Sequence, residues 1–217
     1  MERAPALADL LTILYRPRKT MRRVLDGGRD RWAVPIVLLA YICSSMNDAD
    51  IGKLDQVLPG VTFLSVIAIV IGVLIVAGAV WVLALYIISW IAAPVGRMLG
   101  GTGTIADVRT ALAWGMVPTI WSVIYRIPVG VYKNRIPVQP GQHVRDIIMN
   151  FVEHGGCALI IVVLALQLLL ILWSVFVASS TLAEAQRFST EKGFVNLVIA
   201  IALPVLVIGV CVFTFRK

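Results

Sequence analysis

Long apolar runs separated by short polar segments are the main pattern of this chain. A helix needs about 20 predominantly apolar residues to cross the hydrocarbon core of a bilayer. The pattern therefore predicts an all-α, polytopic membrane protein with five transmembrane helices and additional amphipathic helices at the membrane interface. The predicted spans cover about residues 32–46, 61–93, 110–127, 156–179 and 194–215.

Two of the predicted spans have unusual lengths. At ~1.5 Å per residue, a helix over residues 32–46 is about 22 Å long, which is short of the ~30 Å hydrocarbon core. Trp32 at its start is suited to anchor it at the interface. The run at residues 61–93 is longer than a perpendicular span requires, so we expect it to tilt or to project from the bilayer. Pro94 is expected to kink this helix or to end it.

Residues 1–31 form a basic amphipathic segment that precedes a membrane domain of residues 32–217. Apolar residues recur at helical spacing on both sides of Pro17, at Leu7, Leu10, Leu11, Leu14, Met21, Val24 and Leu25. Basic residues occupy other positions of the same segment, at Arg16, Arg18, Lys19, Arg22 and Arg23. A helix that is apolar on one side and basic on the other is typical of a segment lying in the membrane interface.

A second amphipathic pattern lies between the third and fourth predicted spans. Prolines and glycines in residues 128–141 exclude a continuous helix there. Residues 143–154 then place Val144, Ile147 and Ile148 on one face and charged residues on the other. We interpret this segment as an in-plane helix on the opposite side of the membrane.

Glycines interrupt the chain between the second and third predicted spans, at Gly100, Gly101 and Gly103. Glycine lets the backbone adopt positive φ and lets neighbouring segments approach closely. Thr104 can cap the following helix, with Asp107 three residues further on near the positive helix end. A phosphate-binding loop would need a Lys-Ser/Thr pair and a preceding strand, and neither is present. We therefore interpret the segment as a tight connection between helices.

Small residues and lone amides predict where the helices pack. Ala92, Gly96 and Gly100 recur every four residues, and small residues on one helix face permit close packing in lipid. An amide inside a span usually bonds a neighbouring helix. Beside Ala92 and Gly96, the predicted helix-packing residues are Pro118, Gln167 and Asn196.

The polar connector before the last span, at residues 181–193, has the signs of ordered structure. Thr181 and Glu184 fit a capping box, S/T-x-x-E. Glu184 and Arg187 are three residues apart, and Arg187 and Glu191 are four apart, which are the spacings of ion pairs along a helix. We expect this connector to be folded.

The glycine loop, the small-residue helix that ends at Pro118 and this polar connector together resemble the Yip family. These are Rab-GTPase-interacting integral membrane proteins, of which bacteria have shorter versions. The resemblance extends from about Pro17 to the end of the chain. It implies a polytopic helical fold and a non-enzymatic role as a membrane organiser or adaptor that contacts proteins or lipids. For a short member it implies the bacterial inner membrane.

Composition and charge agree with a membrane protein. The chain has 217 residues, of which 59% are hydrophobic and 14% charged, more apolar than a soluble domain of this size requires. Eight of the 19 Lys and Arg residues precede Trp32, where they would face an anionic leaflet. With a cytoplasmic N-terminus, 12 Lys and Arg residues fall inside and 7 outside, so the positive-inside rule predicts that orientation. The sequence lacks the pattern of basic residues interleaved with aromatic ones that indicates nucleic-acid binding, so no nucleic-acid partner is predicted.

Candidate catalytic chemistry is scarce in the sequence. No ionisable residue lies in the middle of a predicted span, which disfavours an ion-coupled transporter. His143 and His154 are about three helical turns apart, too far to bind one metal ion. Ser44, Ser89 and Ser122 lack a plausible His partner for nucleophilic catalysis. The sequence therefore predicts no catalytic residue, no metal and no cofactor, and a membrane-embedded enzyme is the weakest of the functions considered.

The polar positions leave two functional hypotheses. The alternative is a channel or transporter subunit with a water-filled path lined by Ser122, Gln167, Ser174 and Asn196. The preferred hypothesis is a cytoplasmic face that binds an unknown protein partner or membrane lipids, anionic ones in particular, with a homo-oligomer left open. The predicted binding residues are Arg16, Arg18, Lys19, Arg22, Arg23, Gly100, Gly101, Gly103, Asp107, Glu184 and Arg187.

Overall fold

The computed structural model describes residues 7–28, 32–45, 63–127 and 156–215, and the regular elements in these ranges are helices. The predicted in-plane helix at residues 143–154 and its two histidines lie outside these residues. We number the helices α1 Leu7–Tyr15, α2 Pro17–Asp26, α3 Ala33–Ser45, α4 Phe63–Met98, α5 Ile105–Gly115, α6 Val117–Ile120, α7 Gly156–Gln186 and α8 Thr190–Phe215.

Three helices are long and apolar enough to cross a membrane. The stretches with this character are Ile67–Met98 in α4, Ile161–Gln186 in α7 and Thr190–Thr214 in α8. Each has at least 25 residues, or about 37 Å of helix at ~1.5 Å per residue. The shorter α3 is also apolar. The prediction of an all-α membrane protein is confirmed, and the count of five spans stays a prediction.

The third predicted span, at residues 110–127, is divided in the structure. α5 ends at Gly115, α6 covers only Val117–Ile120, and a turn follows at residues 121–122. Pro118 in the first turn of α6 has no N–H to donate to the preceding turn, which accounts for a new helix starting here.

α4 differs from its prediction at its end. It continues through the exposed Pro94 to Met98, so Pro94 does not end the helix. The helix ends instead where Gly100 adopts a φ of +90°. The Gly101 amide then donates to Gly96 O at 2.8 Å and the Gly100 amide to Arg97 O at 3.0 Å. This pair of bonds is a Schellman motif, which satisfies the last carbonyls of the helix.

α5 is the central helix of the bundle. Its residues from Thr110 to Gly115 are all buried, and Trp114 is the largest fully buried side chain among the residues that the structure describes. A Cβ atom on Gly115 would lie 2.7 Å from the Cα of Ala178, so α5 and α7 approach each other as closely as their backbones permit. Small residues at such contacts permit close van der Waals packing, which drives helix association in lipid, where the hydrophobic effect does not act between helices.

The two N-terminal helices pack on the protein. Ile13 of α1 and Met21 and Val24 of α2 are fully buried in a cluster with Trp114 and Val177. Leu10, Leu14 and Leu25 of the predicted apolar face pack partly buried against this cluster. Leu11 departs from the prediction because it is 46% exposed, and Ile13 takes a fully buried position instead. Pro17 does not interrupt one helix but begins a second one, as proline commonly does at the first helical position.

Candidate docking face

Three segments that are distant in sequence meet at one end of the bundle. They are α2 with the Arg16 that precedes it, residues 97–104 at and after the end of α4, and the connector at residues 181–193, and we call this surface the docking face. The following contacts join the three segments and decide which of their polar groups remain available to another molecule.

Glu184 near the end of α7 fixes α2 to the bundle. Its carboxylate accepts from Arg22 Nε at 2.6 Å and from Arg18 Nε at 3.2 Å. Arg18 Nη2 also donates to Phe188 O at 2.9 Å. The hydrogen bond and the charge of Glu184 raise the pKa of Arg22 above its ordinary value. The side chain of Glu184 is only 10% exposed, and each of its two carboxylate oxygens accepts from one arginine.

A third arginine of α2 is also paired inside the chain. Arg23 Nη1 donates to Asp9 Oδ1 at 3.1 Å, and Asp9 is 4% exposed. This ion pair joins α2 to α1. Arg18, Arg22 and Arg23 were predicted to bind a partner or lipid, yet each of them already forms an ion pair with a carboxylate of this chain.

The glycine loop uses its own amides for internal hydrogen bonds. Thr102 N–H donates to Gln186 O at 3.1 Å, and Gly103 N–H donates to Gln186 Oε1 at 3.2 Å. Thr104 and Asp107 form the predicted capping box, which occupies the Thr104 amide as well. An anion cradle needs free amides pointing at the ligand, so the interpretation as a tight connection agrees with these contacts.

The glycines of this loop make room for α7. A Cβ atom on Gly101 would lie 2.4 Å from Gln186 Oε1, and one on Gly103 would lie 2.4 Å from Ala185 O. A Cβ atom on Gly100 would meet only Lys192 Nζ, at 4.0 Å. Gly101 and Gly103 therefore serve close packing, whereas Gly100 serves the positive φ of the helix end.

Gln186 is the residue of this face that sequence reasoning missed. It is fully buried, and its amide lies against Gly96 together with the amide of Asn196. Within the described residues, Gln186 Nε2 and both amide atoms of Asn196 have no hydrogen-bond partner. The sequence offers no local signal for this role, because the glycine loop that covers Gln186 lies 83 residues earlier in the chain.

The connector differs from its predicted arrangement in two respects. Thr181 caps no helix start, because α7 continues to Gln186, and its hydroxyl instead donates to Ala111 O at 2.9 Å. Arg187 forms neither predicted ion pair, because it adopts a φ of 59° after the last turn of α7 and Glu184 is held by α2. Lys192 Nζ donates to Leu99 O at 3.0 Å and so joins the connector to the end of α4.

The remaining cations of the face are available to another molecule. Arg16, Lys19, Arg97 and Arg187 are exposed, and among the described residues none of them has an acid within ion-pairing distance. Arg16 only stacks on Tyr15, at 5.9 Å from the ring centroid. The face therefore carries an excess of positive charge that the fold does not neutralise.

The other predicted packing residues lie in helix contacts. Tyr125 Oη donates to Gln167 Oε1. Ala92 is fully buried in the core that joins α3, α4, α5, α7 and α8, and Pro118 is buried in α6. In the part of the chain that the structure describes, no three His, Cys, Asp or Glu residues come together in a group that could hold a metal ion.

Comparison with known proteins identifies the family. Neither the curated proteins nor the solved structures gave a match. The Yip1 domain matches residues 11–212, which is nearly the whole chain and includes all three segments of the docking face. The chain therefore belongs to the Yip1 domain family of integral membrane proteins.

Proposed function

We propose that this protein is a non-enzymatic membrane organiser or adaptor whose docking face binds a protein partner at an anionic membrane surface. The observation that carries the proposal is the joining of three distant segments into one face on which Arg16, Lys19 and Arg187 have no ion-pair partner among the described residues. Internal ion pairs join α2 to α7 and to α1, and a surface formed before binding loses less entropy when a partner binds.

Anionic lipid supports the same role. A basic residue near an anionic leaflet contributes about 1 kcal/mol of attraction. The unpaired cations of the face would thus hold it against the headgroups, with an acidic surface of the partner protein as a second counterion. This arrangement requires a cytoplasmic N-terminus, most simply in a bacterial inner membrane.

Contacts of the polar residues favour this role over a channel. Gln167 accepts from Tyr125, and Ser174 donates to Gly115 O at 3.2 Å. Asn196 packs against Gly96. These three side chains thus lie in separate contacts between neighbouring segments. Ser122, the fourth predicted lining residue, is 3% exposed, whereas a path for solute would need all four exposed along one line.

The test is a triple variant, Arg16→Gln, Lys19→Gln and Arg187→Gln, crosslinked in native membranes. It leaves the ion pairs of Arg18, Arg22 and Arg23 intact, so we expect normal insertion and melting with loss of the crosslinked partner. The matched control is Arg126→Gln, which removes a cation outside the docking face. Retention of every crosslinked protein by the triple variant would refute the docking role.

Orientation has its own test. Single cysteines at Thr102 and Ser189 lie on the docking face and should resist a membrane-impermeant thiol reagent added to intact cells. A cysteine at Gln139 should react. Reaction of Thr102→Cys from outside would place the docking face on the wrong side for a cytoplasmic partner.

A further inference from the structure

The two N-terminal helices expose opposite kinds of side chain. The exposed residues of α2 are all charged, and they are Arg18, Lys19, Arg22, Arg23 and Asp26. The exposed residues described in α1 are Ala8, Leu11 and Tyr15, and none of them carries a charge. Leu11 is 46% exposed and Tyr15 is 63% exposed. Because the two helices are neighbours, this difference indicates that their outer faces meet different surroundings.

Contacts between the two helices show that α2 folds back along α1. Thr20 Oγ1 donates to Thr12 Oγ1 at 3.2 Å, and Arg23 Nη1 donates to Asp9 Oδ1 at 3.1 Å. The paired residues lie at increasing distances in sequence on either side of Arg16, as in an antiparallel helical hairpin. The two helices therefore form one unit, and α1 is fixed in place by the same contacts that fix α2.

The apolar residues of α1 occupy two faces. Ile13 is fully buried in the cluster that includes Val117 of α6. Ala8, Leu11 and Tyr15 are spaced by three and four residues, so they share one face, and Ile13 lies on another side of the helix. A surface helix needs apolar residues only on the face that it buries against the protein. Packing within the described residues therefore does not account for the second apolar face of α1.

The position of α1 places this outer face next to the membrane. Ile13 shares its cluster with Ile36 in the first turn of the apolar helix α3. α3 has 13 residues, or about 20 Å at ~1.5 Å per residue, and is shorter than the ~30 Å hydrocarbon core. Leu39 and Ile42 of α3 are exposed, as expected on a helix that meets lipid. The outer face of α1 thus adds apolar surface near the start of a helix that is too short to cover the hydrocarbon core alone.

Tyr15 and Arg16 at the end of this face are suited to a membrane boundary. A tyrosine ring is apolar with a polar hydroxyl, and tyrosine is enriched at membrane interfaces. Arg16 Cζ lies 5.9 Å from the centroid of the Tyr15 ring. Arg16 is exposed and has no ion-pair partner among the described residues. A guanidinium in this position can reach a headgroup phosphate while the ring stays at the acyl boundary.

We propose that α1 inserts the face formed by Ala8, Leu11 and Tyr15 into the interface of the bilayer, while the charged face of α2 stays in water. Lipid is the occupant that the size of the face favours. Three exposed side chains are far fewer than the 20–30 residues a side of a stable protein interface, about ten times as many, whereas lipid needs no complementary shape. The inference deepens the proposed role at a membrane surface, because Arg16 belongs to both, yet insertion of α1 and docking of a protein can fail separately.

Single nitroxide labels test the depth of α1 in the bilayer. Leu11→Cys and Tyr15→Cys place labels on the proposed face, and Ala8→Cys is a third position if one of these labels disturbs folding. Asp26→Cys, on the exposed face of α2, is the aqueous control. Leu83→Cys is the lipid control, because Leu83 is 58% exposed and lies in the membrane-spanning stretch of α4.

The measurement is electron paramagnetic resonance of the full chain in nanodiscs of phosphatidylglycerol and phosphatidylcholine. The natural cysteines are first changed to alanine, and they are Cys43, Cys157 and Cys211. Collision rates with oxygen, which concentrates in lipid, and with a water-soluble nickel chelate give the depth of each label. We expect labels at Leu11 and Tyr15 at a depth of about 5–10 Å in the boundary between headgroups and acyl chains. Their collision rate with nickel should be several-fold lower than that of the Asp26 label.

Two results would overturn the proposal. Labels at Leu11 and Tyr15 that collide with nickel as often as the Asp26 label would show that this face of α1 lies in water. Labels shielded from both reagents would show that protein covers the face, and dipolar broadening between labels in one disc would identify a second copy of this chain as the cover. The purified chain in nanodiscs contains no other protein, so these results do not depend on a docking partner. Crosslinking of the docking face in native membranes is measured separately, and its loss would leave insertion of α1 unaffected.

Discussion

The two connections at the docking face end their helices in the same way but with different residues. α4 ends at Gly100, which has a φ of +90°, and α7 ends at Arg187, which has a φ of 59°. The hydrogen bonds match, since Phe188 N–H donates to Ala183 O at 3.0 Å and Arg187 N–H to Glu184 O at 3.2 Å. Both ends are Schellman motifs, and only the first has the glycine that the motif favours.

The difference shows which connection follows local preference and which is imposed by tertiary structure. A side chain in the left-handed region costs about 1–2 kcal/mol, and glycine avoids this cost. The end of α7 tolerates Arg187 because Glu184, Gln186 and Phe188 on either side are held by α2 and the glycine loop. Strained residues concentrate at functional sites, and Arg187 is also one of the unpaired cations of the docking face.

The largest expected effect concerns the packing that holds the two connections together. Gly103→Val places side-chain atoms against Ala185 O, a backbone atom that cannot move away, so we expect a loss of about 3 kcal/mol in unfolding free energy. The measurement is unfolding in mixed micelles of increasing SDS fraction. Gly72→Ala is the control, because a Cβ atom there meets nothing within 4 Å. Equal stability of the two variants would contradict close packing of the loop on α7.

The next effect compares the two buried amides at Gly96. Gln186→Leu leaves the buried Gly103 N–H without its acceptor, so we expect a loss of about 2 kcal/mol. Asn196→Leu removes an amide that has no partner among the described residues, so it should be near neutral. The SDS unfolding assay measures the unfolding free energy of both variants. A large loss from Asn196→Leu would show that its amide bonds Gln186 Nε2, which lies against the same glycine.

The comparison of helix ends is tested directly by exchanging residue types. Arg187→Gly should stabilise the protein by about 1 kcal/mol by relieving the left-handed strain, and Gly100→Ala should destabilise it by a similar amount. Arg187→Lys keeps the charge and the strain, so it should match the parent in stability. Destabilisation by Arg187→Gly would mean that the side chain contributes more to folding than its backbone conformation costs.

The sequence predicted the helices better than their ends. Apolar runs identified α3, α4, α7 and α8, and the local spacing of Thr104 and Asp107 identified the capping box. The predicted end of α7 was wrong because Thr181 and Glu184 resembled the start of a new helix. In the structure Thr181 contacts α5 and Glu184 contacts α2. Contacts between segments more than 160 residues apart in sequence leave no periodic signal, so the partners of Glu184 could not be predicted.

For the same reason, the sequence could not distinguish the paired arginines from the unpaired ones. Spacing along α2 makes Arg18, Lys19, Arg22 and Arg23 look equivalent, and only the positions of Glu184 and Asp9 separate them. Burial of Gln186 likewise depends on a loop more than 80 residues earlier in the chain. Both distinctions arise from tertiary packing, which local propensity does not encode.

The smallest expected effect concerns the ion pairs that fix α2 beside the strained connection. Glu184→Gln keeps the shape of the side chain but removes the charge that faces Arg18 and Arg22, whose side chains are 46% and 70% exposed. Solvent screens pairs with such exposed partners, so we expect the smallest loss of unfolding free energy among these variants. Hydrogen exchange should nevertheless accelerate in α2, which loses its main polar contact with α7. High salt should accelerate hydrogen exchange of α2 in the parent, because it screens the ion pairs, and should leave the exchange rate of the variant unchanged. If α2 exchanges at the parent rate in Glu184→Gln, the buried side chains Met21 and Val24 hold it without help, and the rigidity of the docking face does not depend on Glu184.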